Sequence, residues 1–345
     1  MKFSIVAAVL SSFLGRPQEV MRGSGTGFLE GMEIDRSPAG GLFDTIGVPS
    51  MRFRSTILLS WRARQLGGAT AGERANQAIA RAQGAASPVV TYVICTNPRS
   101  GSYLLCDGLA STSLAGRPRE WFNPLGEESR RSRWGLDKST DATYAAYLDQ
   151  VRARSTTRNG ISGIKLHFYQ FVELAKKLAD VEGFKALTTA ELMTKAFPNL
   201  KYLWLTRRDK ARQAISYLLA SKTGDWFITD EGKSSKSEDT SDASDFDPQA
   251  VVRLEETFAQ NDAAWQSYFE SNNIAPLTVY YEDLAADYRG AVVRVLKWLG
   301  VPNADAVALR PSRLKRQSTA RNEDWLKRYM LFKTQQGSTS KQKEP

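Results

Sequence analysis

One stretch constrains the fold more than any other: Thr91–Phe122, TYVICTNPRSGSYLLCDGLASTSLAGRPREWF. It opens with a short apolar run of strand-forming residues, Tyr92-Val93-Ile94-Cys95. It turns through Asn97-Pro98-Arg99-Ser100-Gly101-Ser102 and continues with Leu104, Leu105, Leu109 and Ala110 at helical spacing. A strand, a turn of small residues and a helix together place an anion at a helix N-terminus, where unpaired backbone N–H groups and the helix dipole meet it. Gly101 allows close backbone approach, Ser100 and Ser102 add hydroxyls, and Arg99 adds a planar fork of donors. The same local pattern also suits an ordinary turn with solvated polar residues, and on the loop alone the two readings stand level. The Gly-x-x-x-x-Gly-Lys-Ser/Thr loop of nucleoside triphosphatases is absent, and no Lys follows Gly101. With no ligand pair evident for Mg²⁺, that argues against a nucleoside kinase.

The 345 residues are 42% hydrophobic, enough for one large domain or two small ones with a real core. Net charge is +10, from 47 basic and 37 acidic residues, without a long Lys/Arg block. A small, multiply charged anion accounts for part of that excess, and nucleic acid is not expected as a partner. Cys95 and Cys106 are the only cysteines and read as buried thiols; with one histidine, His167, a zinc site lacks ligands and no mechanism can use two imidazoles.

Met1–Gly15 has the shape of a signal-peptide apolar region and is too short to span a bilayer. Residues 1–87 are expected to be an N-terminal extension, poorly ordered or targeting, followed by a core domain over 88–330 and a polar tail over 331–345. Residues 232–247, acidic and Ser-rich, read as a mobile loop. The expected location is the cytoplasm, or outside it if residues 1–15 act as a signal. In the core, strands are predicted at Val89–Thr96, Ile164–His167, Tyr202–Leu205 and Leu277–Tyr281. Helices are predicted at Ala142–Arg154, Phe168–Ala179, Ala190–Ala196, Lys210–Ala220, Val251–Glu270 and Tyr288–Leu299. After Gly116–Phe122 the stretch through Lys138 reads as polar and charged. Strands alternating with helices predict an α/β fold with a mainly parallel sheet.

PRSGSYLLCDGL followed by AGRPREWF resembles the sulfotransferases of the bacterial trehalose 2-sulfotransferase type. The resemblance continues in order through Asn159–Phe171, Phe197–Ala220, Trp226, Ile274–Leu284 and Leu314–Tyr329. It implies a three-layer sulfotransferase fold, like that of the P-loop proteins, and a sulfuryl donor, 3′-phosphoadenosine 5′-phosphosulfate (PAPS), used without a metal. The acceptor it implies is a carbohydrate or another small hydroxyl metabolite, and a homodimer is possible. Arg99, Ser100, Gly101, Ser102 and Tyr103 then form the donor cradle, although Tyr103 stands where such loops carry Ser or Thr and is expected to point away. Arg207 and Ser216 match the 3′-phosphate clamp, with Arg208 a second candidate. Arg316, with Gln317, matches a C-terminal motif that closes over the nucleotide. Glu120 matches the family's base, and Trp121 and Phe122 are expected to desolvate it, raise its pKa and stack on the acceptor. Arg117 stands where the trehalose enzymes are acidic, which argues against trehalose itself. Lys165 is a candidate either for the sulfuryl group or for a pair with a core carboxylate, and His167 is a second candidate base or a neighbour that supports the site. The competing reading is a nucleotide-binding protein of this fold without catalysis.

Overall fold

The computed structural model describes residues 90–136, 143–224, 226, 246–312 and 320–341, all within one unit spanning Ala69–Pro345. The N-terminal extension, the acidic loop up to residue 245, and Arg316 with Gln317 lie outside the described residues.

Four strands form one sheet: β1 (Val90–Thr96), β2 (Ile161–His167), β3 (Lys201–Thr206) and β4 (Leu277–Tyr280). Their spatial order is β2-β1-β3-β4 and every pairing is parallel, as the alternation of strands and helices implies. The register sets Thr96 beside both His167 and Leu205, and Thr206 beside Tyr280. The turns that follow all four strands therefore open on the same edge, where ligands bind in open α/β sheets.

Both faces of the sheet are covered, which is why β1 is a continuous apolar run and not an alternating one. Val93 and Cys95 face one core with Ile164, Leu166 and Tyr202. That core is closed by α3 (Tyr144–Ser155), α4 (Phe168–Ala179), α5 (Thr189–Ala196) and α7 (Pro248–Ser271). Tyr92 and Ile94 face the other core, against α1 (Ser102–Ser111), α8 (Tyr281–Ala286) and α9 (Tyr288–Trp298). A third cluster joins α6 (Lys210–Thr223), α7 and α10 (Ala320–Lys341) through Ile215, Phe258, Trp325 and Tyr329. Cys95 and Cys106 are free, buried and on opposite faces.

Three elements differ from the sequence reading. β2 begins at Ile161, earlier than predicted, because its weak strand formers serve contacts: Ser162 Oγ pairs with Ser155 Oγ at 2.7 Å, and a Cβ on Gly163 would meet the Tyr92 hydroxyl at 2.8 Å. The stretch read only as polar and charged contains α2 (Glu127–Arg133), whose sequence EESRRSR carries no apolar period. Arg130 anchors it from inside, donating to Tyr147 Oη (2.7 Å) and to the Asn123 carbonyl (2.5 Å). The last helix continues through 331–341, residues read as part of a polar tail.

Candidate active site

The turn after β1 is held from beneath. Asn97 donates to Asp262 Oδ1 at 2.7 Å and Gln213 donates to the Pro98 carbonyl at 2.7 Å. Thr206 donates to the second Asp262 oxygen at 2.6 Å, and Lys210 forms an ion pair with it. Ser100 belongs to this scaffold: fully buried, its hydroxyl donates to the Asn97 carbonyl at 2.7 Å. The hydroxyl expected to face an anion is here engaged by the Asn97 carbonyl. Two left-handed residues shape the rim, Arg99 (φ 63°) and Gly101 (φ 79°). A Cβ at Gly101 would lie 2.5 Å from Tyr281 Cδ2, so glycine is required there, and a non-glycine residue in this conformation is strained.

Two guanidiniums converge on the turn. Arg99 Nε donates to Ser216 Oγ at 3.0 Å, and its Nη1 to the Trp226 carbonyl at 2.5 Å. Arg207 packs over the Tyr281 ring at 4.5 Å and donates to the Arg99 carbonyl at 3.3 Å, while its buried Nε has no hydrogen-bond partner among the described residues. Burial, then the charge of Arg207, pull Arg99 down to about 10. Both stay cationic at neutral pH, so the pocket carries concentrated positive charge and an unmet donor. Those are properties of an anion site. Arg208, the second clamp candidate, is instead exposed, stacked on Tyr280 and bound through both terminal nitrogens to Asp283 at 2.7 and 2.9 Å.

Beside the cradle stands a carboxylate cluster. Residues 116–120 run along β2, with the Arg119 carbonyl accepting from Lys165 N at 2.9 Å, and deliver Glu120 to the open edge. Glu120 Oε1 lies 2.6 Å from Lys165 Nζ and 3.5 Å from His167 Nε2, and it accepts from the Tyr103 hydroxyl at 3.3 Å. Oε2 accepts from Asn123 and from Gln170, each at 2.9 Å. Burial alone pushes the carboxyl up, but the Lys165 ammonium, with His167, holds it well below the usual carboxylate range. The expected upward shift is therefore reversed. Trp121 is only 8% exposed and Phe122 is buried, both in the core; the indole donates to the Arg117 carbonyl at 3.0 Å.

Tyr103 points into the cluster and not away from it. Its ring covers Lys165 Nζ at 3.9 Å, and the Glu120 charge, with burial, pushes its phenol up to about 12, so it remains a donor. Lys165 also donates to Ser102 Oγ at 3.4 Å, which links the carboxylate cluster to the cradle. Arg117 stands apart: it is exposed and donates to the Arg154 and Thr156 carbonyls, each at 3.3 Å, before the start of β2. Sequence reasoning missed Asn123, Gln170, Gln213 and Asp262. The one available signal was polar side chains on the inward faces of α4, α6 and α7; Gln170 and Glu120 are 50 residues apart.

The Stf0 sulphotransferase family model matches residues 91–331. Trehalose 2-sulfotransferase of Mycolicibacterium smegmatis is 26% identical over 260 residues, covering 69% of this chain and 93% of that protein. Trehalose 2-sulfotransferase of Mycobacterium tuberculosis is 25% identical over 262 residues, with the same two coverages.

Proposed function

The chain belongs to the Stf0 sulphotransferase family, and from that premise we propose that it moves a sulfuryl group from PAPS to a hydroxyl of a carbohydrate or other small metabolite. The observation that carries this reading is the meeting of two sites on one sheet edge. A cradle with two half-buried guanidiniums, and an Arg207 Nε without a hydrogen-bond partner among the described residues, lies beside a carboxylate cluster, and Lys165 is common to both. The domain that does this work is 88–330.

The donor substrate suits these residues. The backbone turn at Gly101, with Arg99 and Ser102, takes the 5′ side, where charge builds as the leaving phosphate departs. Arg207, with Ser216 positioning Arg99, takes the 3′-phosphate. In-line transfer needs little covalent work from the protein, so positioning and charge stabilisation supply most of the rate. Glu120 is the group placed to take the acceptor proton. The acceptor oxygen bonds to sulfur, the bond from sulfur to the bridging oxygen breaks, and its electron pair leaves on the 5′-phosphate. Tyr103, 42% exposed at the mouth, is an aromatic surface for the acceptor to lie against. The acceptor's identity as a sugar is supported by the names of the two relatives.

Arg207→Ala tests the donor half. Its loss should weaken binding of PAP, the desulfonated product, by about 1.5–3 kcal/mol, because a charge-assisted contact goes. Adenosine 5′-phosphosulfate, without a 3′-phosphate, should be nearly unaffected. Equal losses for both nucleotides would remove Arg207 from the clamp.

A further inference from the structure

Lys165 stands between two groups that compete for one charge. Its ammonium lies 2.6 Å from Glu120 Oε1 and 3.4 Å from Ser102 Oγ, the first residue of α1. Its side chain is 2% exposed, so water does not serve it. Glu120 in turn takes contacts from Lys165, Tyr103, Asn123 and Gln170, with the His167 imidazole at 3.5 Å. A carboxylate satisfied this fully is a poor proton acceptor, yet it is the group best placed beside the cradle.

We propose that Lys165 is a shared cation which the seated donor draws from Glu120 toward the cradle, so that the carboxylate becomes a competent base only when the donor is bound. The inference rests on the donor reading above, since it needs the anionic sulfonate or 5′-phosphate of PAPS near Ser102. The chemistry follows from charge alone. An anion at the cradle attracts Lys165 and, by its own field, disfavours the negative form of Glu120. An opposite charge at this range shifts a carboxyl by roughly 1–3 pH units, and relaxing that contact returns a shift of the same order. The acceptor proton then has a place to go as the new O–S bond forms.

The groups facing Glu120 are few. From α1 come Tyr103 and Cys106, from β2 Lys165 and His167, and from α4 Tyr169. Burial pushes the Cys106 thiol up to about 12, and Tyr169 is raised as well, so neither titrates in the acid range. Lys165 is then the fixed cation of the set.

Proton linkage makes this measurable. Titration of PAPS into the protein at about pH 5.5, in two buffers of different ionisation enthalpy, reads protons taken up per donor bound. The expected result is net uptake, growing as the pH falls from about 6.5 to about 5. It should vanish in Glu120→Gln and persist in His167→Gln. Binding without uptake, or uptake that survives Glu120→Gln, overturns the proposal. A carboxyl NMR titration of the unsubstituted protein, with and without PAPS, reads the same upward shift without any variant, and an unmoved Glu120 is equally decisive against it. Failure of PAPS to bind at all defeats the donor reading, and this inference with it.

Discussion

At the scale of single residues the chemistry rests on Glu120. Five polar groups converge on its two oxygens, and Lys165 and His167 keep it ionised despite burial. Glu120→Gln preserves the shape and removes the charge. Because Glu120 faces the acceptor side, the change should lower kcat by about 10²–10⁴-fold, the range of a positioned general base. PAP affinity should not fall, because Glu120 meets the acceptor and its loss leaves Lys165 free for the cradle. Steady-state turnover beside calorimetric PAP titration checks both halves. Near-normal turnover would pass the role to His167. The same carboxyl also carries a pH signature. A carboxyl whose folded pKa lies below its unfolded value stabilises the fold above about pH 4.3, and that stability is lost as pH falls through the depressed value.

At the scale of elements, the strip 116–120 decides whether Glu120 reaches the edge. Gly116 has φ 68°, and a Cβ there would lie 2.4 Å from Gly163 N, a backbone atom that cannot swing aside. Gly116→Ala should therefore cost about 2 kcal/mol or more of stability, from a strained conformation plus a backbone clash. It should also reduce turnover more than PAP binding, because the strip carries Glu120 while the cradle hangs from β1, α6 and α7. Thermal unfolding and the two binding and rate measurements separate these effects. A variant with wild-type Tm and turnover would show that the strip tolerates displacement. Element boundaries were legible wherever the pattern was local. Phe168–Ala179 matches its predicted range because Phe171, Leu174, Ala175 and Leu178 repeat at helical spacing. The α2 helix was not legible, since its two inward residues, Glu127 and Arg130, are charged, and Arg130 is satisfied by Tyr147 and Asn123.

At the scale of the whole molecule, the parallel sheet is the device that makes a site. It stacks Thr96, His167, Thr206 and Tyr280 at one edge, so four separate turns face the same space. The family match begins at residue 91, in β1, and the described sites all lie beyond it. Deletion of Met1–Ala86 should leave PAP binding intact, read as stabilisation of about 2.7 kcal/mol at a hundredfold excess over Kd. An insoluble or non-binding truncation would show that the extension supports the core.

The sequence by itself determined what local chemistry can determine. The apolar run of β1, the glycine turn and the helix after it identify the cradle, because neighbouring residues set backbone conformation and expose the helix N-terminus. Separated motifs in a fixed order identify the family. Partnership across the fold was decided only by tertiary structure. Trp121 reads as a desolvating wall but is in the core, Ser100 reads as a donor but is a strut, and Tyr103 reads as a misfit but caps the Glu120–Lys165 pair. The sign of the Glu120 shift turned on Lys165 for the same reason. Burial and opposing charge act in opposite directions, and which prevails depends on a 2.6 Å contact between residues brought together by the packing of one strip against β2.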